Sequence, residues 1–202
     1  MKKKTIKIFF DYKSPYSYLI LDPINTIQKE FEVAVDWKPF IFKMEEFFGV
    51  PEKRNIWQTN KVKYSYFDIR REANRRGNML IYGPKKAYDS TVSLCGSVFL
   101  LKHSNQEAFE SYHLQVFKRF FERKLNIENL DEISDLIDQV GASSSDFVKF
   151  IPEAKKRLEE IEKEAADIGV FGTPTVIDSD NEIFFGNDRI HLLREKLSKK
   201  MK

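Results

Sequence analysis

The stretch FFDYKSPYSYLI, residues 9 to 20, carries an apolar run into Ser14 immediately before Pro15. A serine there can accept a backbone N–H from the first turn of a helix, and a proline at the first helical position lacks the N–H that would otherwise go unpaired. Ser14 also owns one hydroxyl proton. If its lone pairs face the helix backbone, that proton is left over for a second partner, so capping a helix and holding an anionic group are compatible roles. The local residues alone read as a helix start. Other reactive side chains are sparse. Cys95 is the single cysteine, which excludes an intrachain disulfide, a CxxC redox pair and a cysteine-based metal cage, and within STVSLCGSVFL it reads as a small core residue. His103, His113 and His191 show neither triad nor metal-ligand spacing, so no metal is expected. Tyr112, Phe117, Phe120 and Phe121 read as helix packing, with one face available to wall an aromatic pocket.

These residues need elements to position them. TIKIFFDY (5–12) and VAVDWKPF (33–40) are β-branched and aromatic runs that predict strands, and between them Leu19, Ile20, Ile24, Ile27 and Phe31 keep helical spacing. The three form a βαβ unit. Pro23 should kink that helix, or restart it with Asp22 as a second cap. From about 41 to 168 the patterns are helical: NKVKYSYFDIRREANRRG, closed by Gly77; YDSTVSLCGSVFLLKH; QEAFESYHLQVFKRFFERKL; and PEAKKRLEEIEKEAADIG. TPTVIDS and EIFFG then predict two strands joined at DSDN, and NDRIHLLREKL a closing amphipathic helix. The fold class is α/β, in the order βαβ, helices, ββα, with a helical insertion of about 41–168 between the parts 1–40 and 169–202.

Bulk properties narrow the function classes. Lys and Arg number 34 against 31 Asp and Glu, a formal charge of +3 spread along the chain apart from MKKK and KKMK at its ends. A phosphate-binding face needs clustered cations on a folded surface, so the ends read as solvated tails and no nucleic-acid partner is expected. No apolar run is long enough to cross a bilayer, and no membrane association is expected. TIKIFFDY alternates and meets Asp11 instead of building a signal core, which predicts a mature start at Met1 and a cytoplasmic location.

The element order, with GTP opening the second half, resembles a thioredoxin fold interrupted by a helical domain, as in the DsbA family. Where a DsbA oxidoreductase carries CxxC, this chain has Ser14-Pro15-Tyr16-Ser17. SPYSYL is instead similar to the glutathione-using branch, the 2-hydroxychromene-2-carboxylate isomerases and kappa-class glutathione transferases. GVFGTPTVIDSDNEIFFGNDRI (169–190) and the spaced Lys63, Tyr66, Asp68, Arg71, Ala73 and Gly77 agree with that branch.

The resemblance implies a glutathione-dependent isomerase or transferase, acting as a homodimer on a small electrophilic organic substrate. Only a thiolate is a good nucleophile, so such a site must hold sulfur as an anion, and the resemblance gives that task to Ser14 at a helix N-terminus. It implies that Pro15 and Tyr16 line the glutathione site. It also implies that Thr173, before a cis Pro174, pairs its N–H and C=O with the cysteinyl part, and that Asn187 and Asp188 hold the γ-glutamyl end. Read locally, Pro174 is an ordinary trans proline opening a strand, Asn187 or Asp188 is a helix cap, and Arg189 is the partner of a carboxylate. Two positions depart from the family: Val50 follows Gly49 where an Asn is frequent, and Glu45 stands near a lysine position, while Lys43 reads as a solvated side chain. Two other readings remain open, a DsbA-like thiol-disulfide oxidoreductase without its own CxxC and a non-catalytic binding protein that kept the groove beside Pro174.

Overall fold

The computed structural model describes residues 4–77 and 79–199; the outermost residues of the two basic ends, 1–3 and 200–202, lie outside them. Four strands form one sheet in the order β2-β1-β3-β4, where β1 is Thr5–Phe10, β2 Ala34–Pro39, β3 Thr175–Ile177 and β4 Ile183–Phe185. β1 and β2 are parallel, with Thr5 opposite Ala34 and Phe10 opposite Pro39. β3 runs antiparallel to β1, and β4 antiparallel to β3. These directions bring the C-terminal ends of β1, β2 and β4 and the N-terminal end of β3 to one edge of the sheet. The segments that carry Ser14, Thr173 and Asn187 leave from that edge.

The βαβ crossover is two helices, not one. α1 is Pro15–Leu19 and α2 is Leu21–Phe31, hinged at Ile20. The cause is Pro23, which has no N–H to give the Leu19 carbonyl one turn earlier. The restart is therefore as expected, but Asp22 does not cap it; Ile20 occupies the cap position and Asp22 lies inside the first turn.

Among the described residues, 41–168 contain no strand and six α-helices: α3 (Met44–Phe48), α4 (Ile56–Arg75), α5 (Thr91–His103), α6 (Gln106–Phe121), α7 (Leu130–Gln139) and α8 (Ser144–Ile168). α4 opens on a reciprocal cap, in which the Asn55 side chain takes the Gln58 N–H and the Gln58 side chain takes the Asn55 N–H. α8 begins well upstream of Pro152, with Ser143 as its cap, and carries that proline in its interior. A short 3-10 turn at Asn187–Arg189 leads into α9 (Ile190–Lys199).

Strand alternation divides the core. Ile6, Ile8 and Phe10 of β1 face one side, where they join Ile24 and Ile27 of α2 and the buried faces of α5 and α6. Phe9 faces the other side and packs with Ile161 and Ala165 of α8, while Lys7 on that side donates to Glu164. α5 is buried continuously from Ser93 to Leu100, so it reads as apolar all round. Cys95 is 0% exposed within it, as its local sequence suggests, and burial raises its thiol to about 11. The large cluster runs unbroken from the sheet into the helical block, through Tyr12, Trp37, Phe109 and Phe117.

Inside this cluster His113 is enclosed by Phe10 at 4.4 Å and Trp37 at 4.6 Å, ring centre to ring centre. Its Nδ1 meets the Tyr12 hydroxyl at 3.1 Å, and that hydroxyl meets Ser97 Oγ at 2.6 Å. Burial lowers the imidazole from its ordinary 6.5 to about 3. Below pH 6.5 the unfolded chain takes up a proton that the folded chain refuses, so stability falls as pH falls. This one group should cost about 1.4 kcal/mol per pH unit on the way down toward 3. Urea unfolding of wild type and His113→Phe at pH 6.5 and pH 4.5 should show a shallower loss in the variant; equal slopes would contradict the buried neutral imidazole. A second test is steric. A methyl group on Gly96 would lie 2.8 Å from Tyr112 Cζ, whose hydroxyl donates to the Ser93 carbonyl at 2.8 Å. Gly96→Ala should therefore destabilise by about 1–3 kcal/mol, measured by chemical denaturation.

Candidate active site

The turn before α1 is built by Asp11. Its carboxylate is fully buried, with Oδ1 accepting the Lys13 N–H at 2.9 Å and Oδ2 accepting the Phe42 N–H at 2.8 Å. Its main-chain carbonyl takes the Ser14 N–H at 3.0 Å, closing the turn. The Lys13 ammonium lies 3.4 Å from Oδ2 and donates to the Phe42 carbonyl at 3.2 Å. Burial raises the Asp11 carboxyl pKa, and Lys13 and the two N–H groups oppose that rise. One buried side chain thus fastens the end of β1 to the segment that follows β2.

Ser14 emerges from this turn as the cap of α1, its Oγ accepting the Ser17 N–H at 3.2 Å. The same Oγ donates to the Thr173 carbonyl at 3.1 Å. Both uses of the hydroxyl foreseen from its chemistry are occupied at once, with a protein carbonyl holding the proton. α1 has five residues, so its dipole is small, and the hydroxyl is the stronger local device for an anion. Neither the Tyr16 nor the Thr173 backbone N–H makes a hydrogen bond among the described residues, and the buried Thr173 hydroxyl has no partner there either. Thr173–Pro174 is a cis bond, in agreement with the resemblance and against the local reading. Thr175 Oγ1 donates to the Gly172 carbonyl at 2.7 Å and closes the loop that presents Thr173.

A cavity of about 1010 Å3 opens beside this turn, lined by Ser14, Pro15, Tyr16, Thr173, Asn187 and Asp188. Pro174 is the one expected site residue outside the lining; its carbonyl instead accepts the Gly186 N–H at 2.9 Å, tying β3 to the end of β4. Tyr16 donates through its hydroxyl to Asp68 Oδ2 at 3.0 Å, which docks α1 on α4, and burial followed by that carboxylate raises its phenol. Neither Asn187 nor Asp188 caps the 3-10 turn they begin. Asp188 is paired at 2.6 Å with Arg189, which is thus the partner of a carboxylate, as the local reading had it. That pair is exposed and exchanges readily for another cation.

The helical block supplies the opposite wall. Phe42, Phe47 and Phe48 form an edge-to-face cluster, and Phe47 lies 6.3 Å from Phe185 of β4. Gly172 must be a glycine here, since a methyl group on it would stand 2.9 Å from the Phe185 ring. Lys61 holds its ammonium 3.9 Å from the centre of the Phe47 ring. Of the spaced pattern on α4, Tyr66 and Asp68 line the cavity, whereas Lys63 and Arg71 do not; the lysine that does is Lys61. A shift of two residues turns a side chain by about 200° around a helix, so Lys61 and Lys63 lie on different sides of α4. Val50 and Glu45 stand outside the lining, and Lys43 pairs outward with Glu162. Phe120 and Phe121 serve packing and cavity together, with Tyr18 of α1 stacked on Phe121 at 5.7 Å and on Phe117 at 5.5 Å. In the sequence Asp11 reads only as a charge that interrupts an apolar run, although its short spacing from Ser14 is a signal for a role in the site, and nothing local marks Arg54. Among the described residues no group of three or more His, Cys, Asp or Glu could hold a metal ion, and no helix is long and apolar enough to cross a membrane.

With this geometry in hand, similarity to known proteins covers nearly the whole chain. It is 24% identical over 202 residues to a 2-hydroxychromene-2-carboxylate isomerase of Sphingobium xenophagum, spanning 96% of this chain and 98% of that one. To glutathione S-transferase kappa 1 of Homo sapiens it is 21% identical over 211 residues, spanning 98% and 92%. Among solved structures, a 2-hydroxychromene-2-carboxylate isomerase superposes with a TM-score of 0.79 at 21% identity, covering 98% of this chain and 96% of the other. A probable DsbA oxidoreductase from Streptomyces coelicolor gives 0.76 at 14% identity, covering 97% and 89%. The family model of the DSBA-like thioredoxin domain matches residues 5–198, and the chain belongs to that family.

Proposed function

We propose that this protein is a glutathione-dependent isomerase or transferase in which Ser14 stabilises the glutathione thiolate. The observation that carries the reading is the Ser14 hydroxyl, which gives its single proton to Thr173 O beside two backbone N–H groups without partners among the described residues. A peptide-like ligand laid along Thr173 supplies an N–H of its own to that carbonyl. The Ser14 proton is then released and turns to the ligand's sulfur, while the Ser17 N–H continues to hold the oxygen. Binding the cysteinyl backbone and charging the sulfur are thereby one event. The thiolate adds to the electrophilic carbon of a conjugated substrate, and the displaced π electrons move onto a carbonyl oxygen. The former double bond, now single, rotates; the electrons return, the C–S bond breaks, and glutathione leaves unchanged. In a transferase the adduct takes up a proton and is released. Pro15, Tyr16 and Thr173 form the glutathione bed, Asn187 and Asp188 receive the γ-glutamyl end, and the Phe42, Phe47 and Phe185 wall receives the second substrate.

A need for reduced glutathione supports a cytoplasmic location, where thiols are kept reduced. A homodimer is supported by the outer face of α4, where Ile56, Trp57 and Phe67 are 63–77% exposed on a helix whose buried residues are Ile69 and Ala73. Light scattering should give twice the chain mass, and Trp57→Glu with Phe67→Glu should give the monomer; a monomeric wild type at micromolar concentration would remove the dimer.

For Ser14 the measurement is a calorimetric titration with millimolar glutathione, followed by thiolate absorbance of the bound ligand against pH. Ser14→Ala should retain binding yet raise the bound thiol pKa by about 1–2 units, the loss of one charge-assisted hydrogen bond. The same variant should lose about 1 kcal/mol of stability with its cap. Absence of glutathione binding by the wild type would sink the proposal. Binding with an unshifted thiol would favour a non-catalytic binding protein.

A further inference from the structure

Most cations that line the cavity already have a carboxylate. Lys13 faces Asp11, Arg75 and Arg76 share Glu72, Lys86 pairs with Glu128, and Arg194 grips Glu30 through two nitrogens. Arg54 is different. Its Nε donates to the carbonyls of Phe48 and Gly49, both at 3.0 Å, so the guanidinium is oriented by the main chain at the end of α3. No carboxylate among the described residues pairs with it, and its Nη1 and Nη2 make no hydrogen bond there. It is partly buried in the cavity wall. A guanidinium fixed in plane with two terminal donors to spare is a carboxylate receptor, because those donors match both oxygens of the anion. Lys61, 5.3 Å from the Phe48 ring, adds a second positive charge at the same edge.

Glutathione offers one carboxylate for which no receptor has been named. With sulfur at Ser14 and the γ-glutamyl end at Asn187 and Asp188, the glycine carboxylate is the remaining charged end. Val50, which cannot hydrogen-bond through its side chain, is 37% exposed and stands outside the lining, so it leaves that end unserved. We propose that Arg54 binds the glycine carboxylate of glutathione. The inference rests on the glutathione reading above and assigns a residue that reading leaves open.

Calorimetry of the full chain with glutathione and with its glycine monoethyl ester tests it. Wild type should bind glutathione roughly tenfold or more tightly than the ester, as expected for a lost charge-assisted hydrogen bond. Arg54→Met should weaken glutathione by about that factor and leave the ester unchanged, so the ratio collapses toward one, and Arg54→Lys should fall between. A wild type indifferent to esterification overturns the proposal. So does Arg54→Met weakening both ligands equally, since that is the result of disturbing the Phe48 and Gly49 carbonyls alone. If wild type binds neither ligand, the glutathione reading itself fails and the Arg54 proposal with it.

Discussion

A buried carboxylate at the end of a strand is costly unless its oxygens are satisfied, and in this protein the groups that satisfy Asp11 are the ones that build the site. The Lys13 N–H fixes the turn from which Ser14 emerges, and the Phe42 N–H fixes the start of the aromatic wall. The two segments are 31 residues apart in the chain. Without that shared acceptor, Ser14 and the Phe42 cluster would belong to two independent loops. With it, they are fastened to one side chain beside Thr173.

The sheet makes the rest of the convergence inevitable. Because β3 runs against β1 and β4 against β3, the loops carrying Ser14, Phe42, Thr173 and Asn187 all leave the same edge. The helical block then closes the cavity from above through two contacts with α1. Tyr18 stacks on α6, and the Tyr16 hydroxyl reaches Asp68 on α4. The turn that carries Ser14 is held from below by Asp11 and from the side by aromatic packing, which leaves the Ser14 hydroxyl as its adjustable part.

Much of this was legible in the chain. Period-two alternation in TIKIFF, helical spacing after it and the Ser-Pro pair marked the βαβ unit and the cap, because those signals depend on neighbours along the backbone. The boundaries moved where a local signal had two meanings. Pro23 split the crossover helix at Ile20 without Asp22 becoming a cap, whereas Pro152 was absorbed inside α8, where a Ser143 cap and a long buried face outweigh one missing hydrogen bond. On α4 the spaced pattern holds for Tyr66, which lines the cavity, but the lysine there is Lys61 and not Lys63, since the side that faces inward is set by what packs against it.

The sequence by itself determined the elements, their order, the single buried cysteine and the hydroxyl at a helix start, all of which follow from side-chain chemistry within a few residues. Only the tertiary structure decided that the Ser14 proton rests on Thr173, that Asp11 joins two distant segments, and that Arg54 faces a cavity with no acid among the described residues to meet it. Those facts are separations of a few ångströms between residues far apart in the chain. They are fixed by strand direction and by which groups must be satisfied once water is excluded, and neither quantity is written in any short stretch of residues.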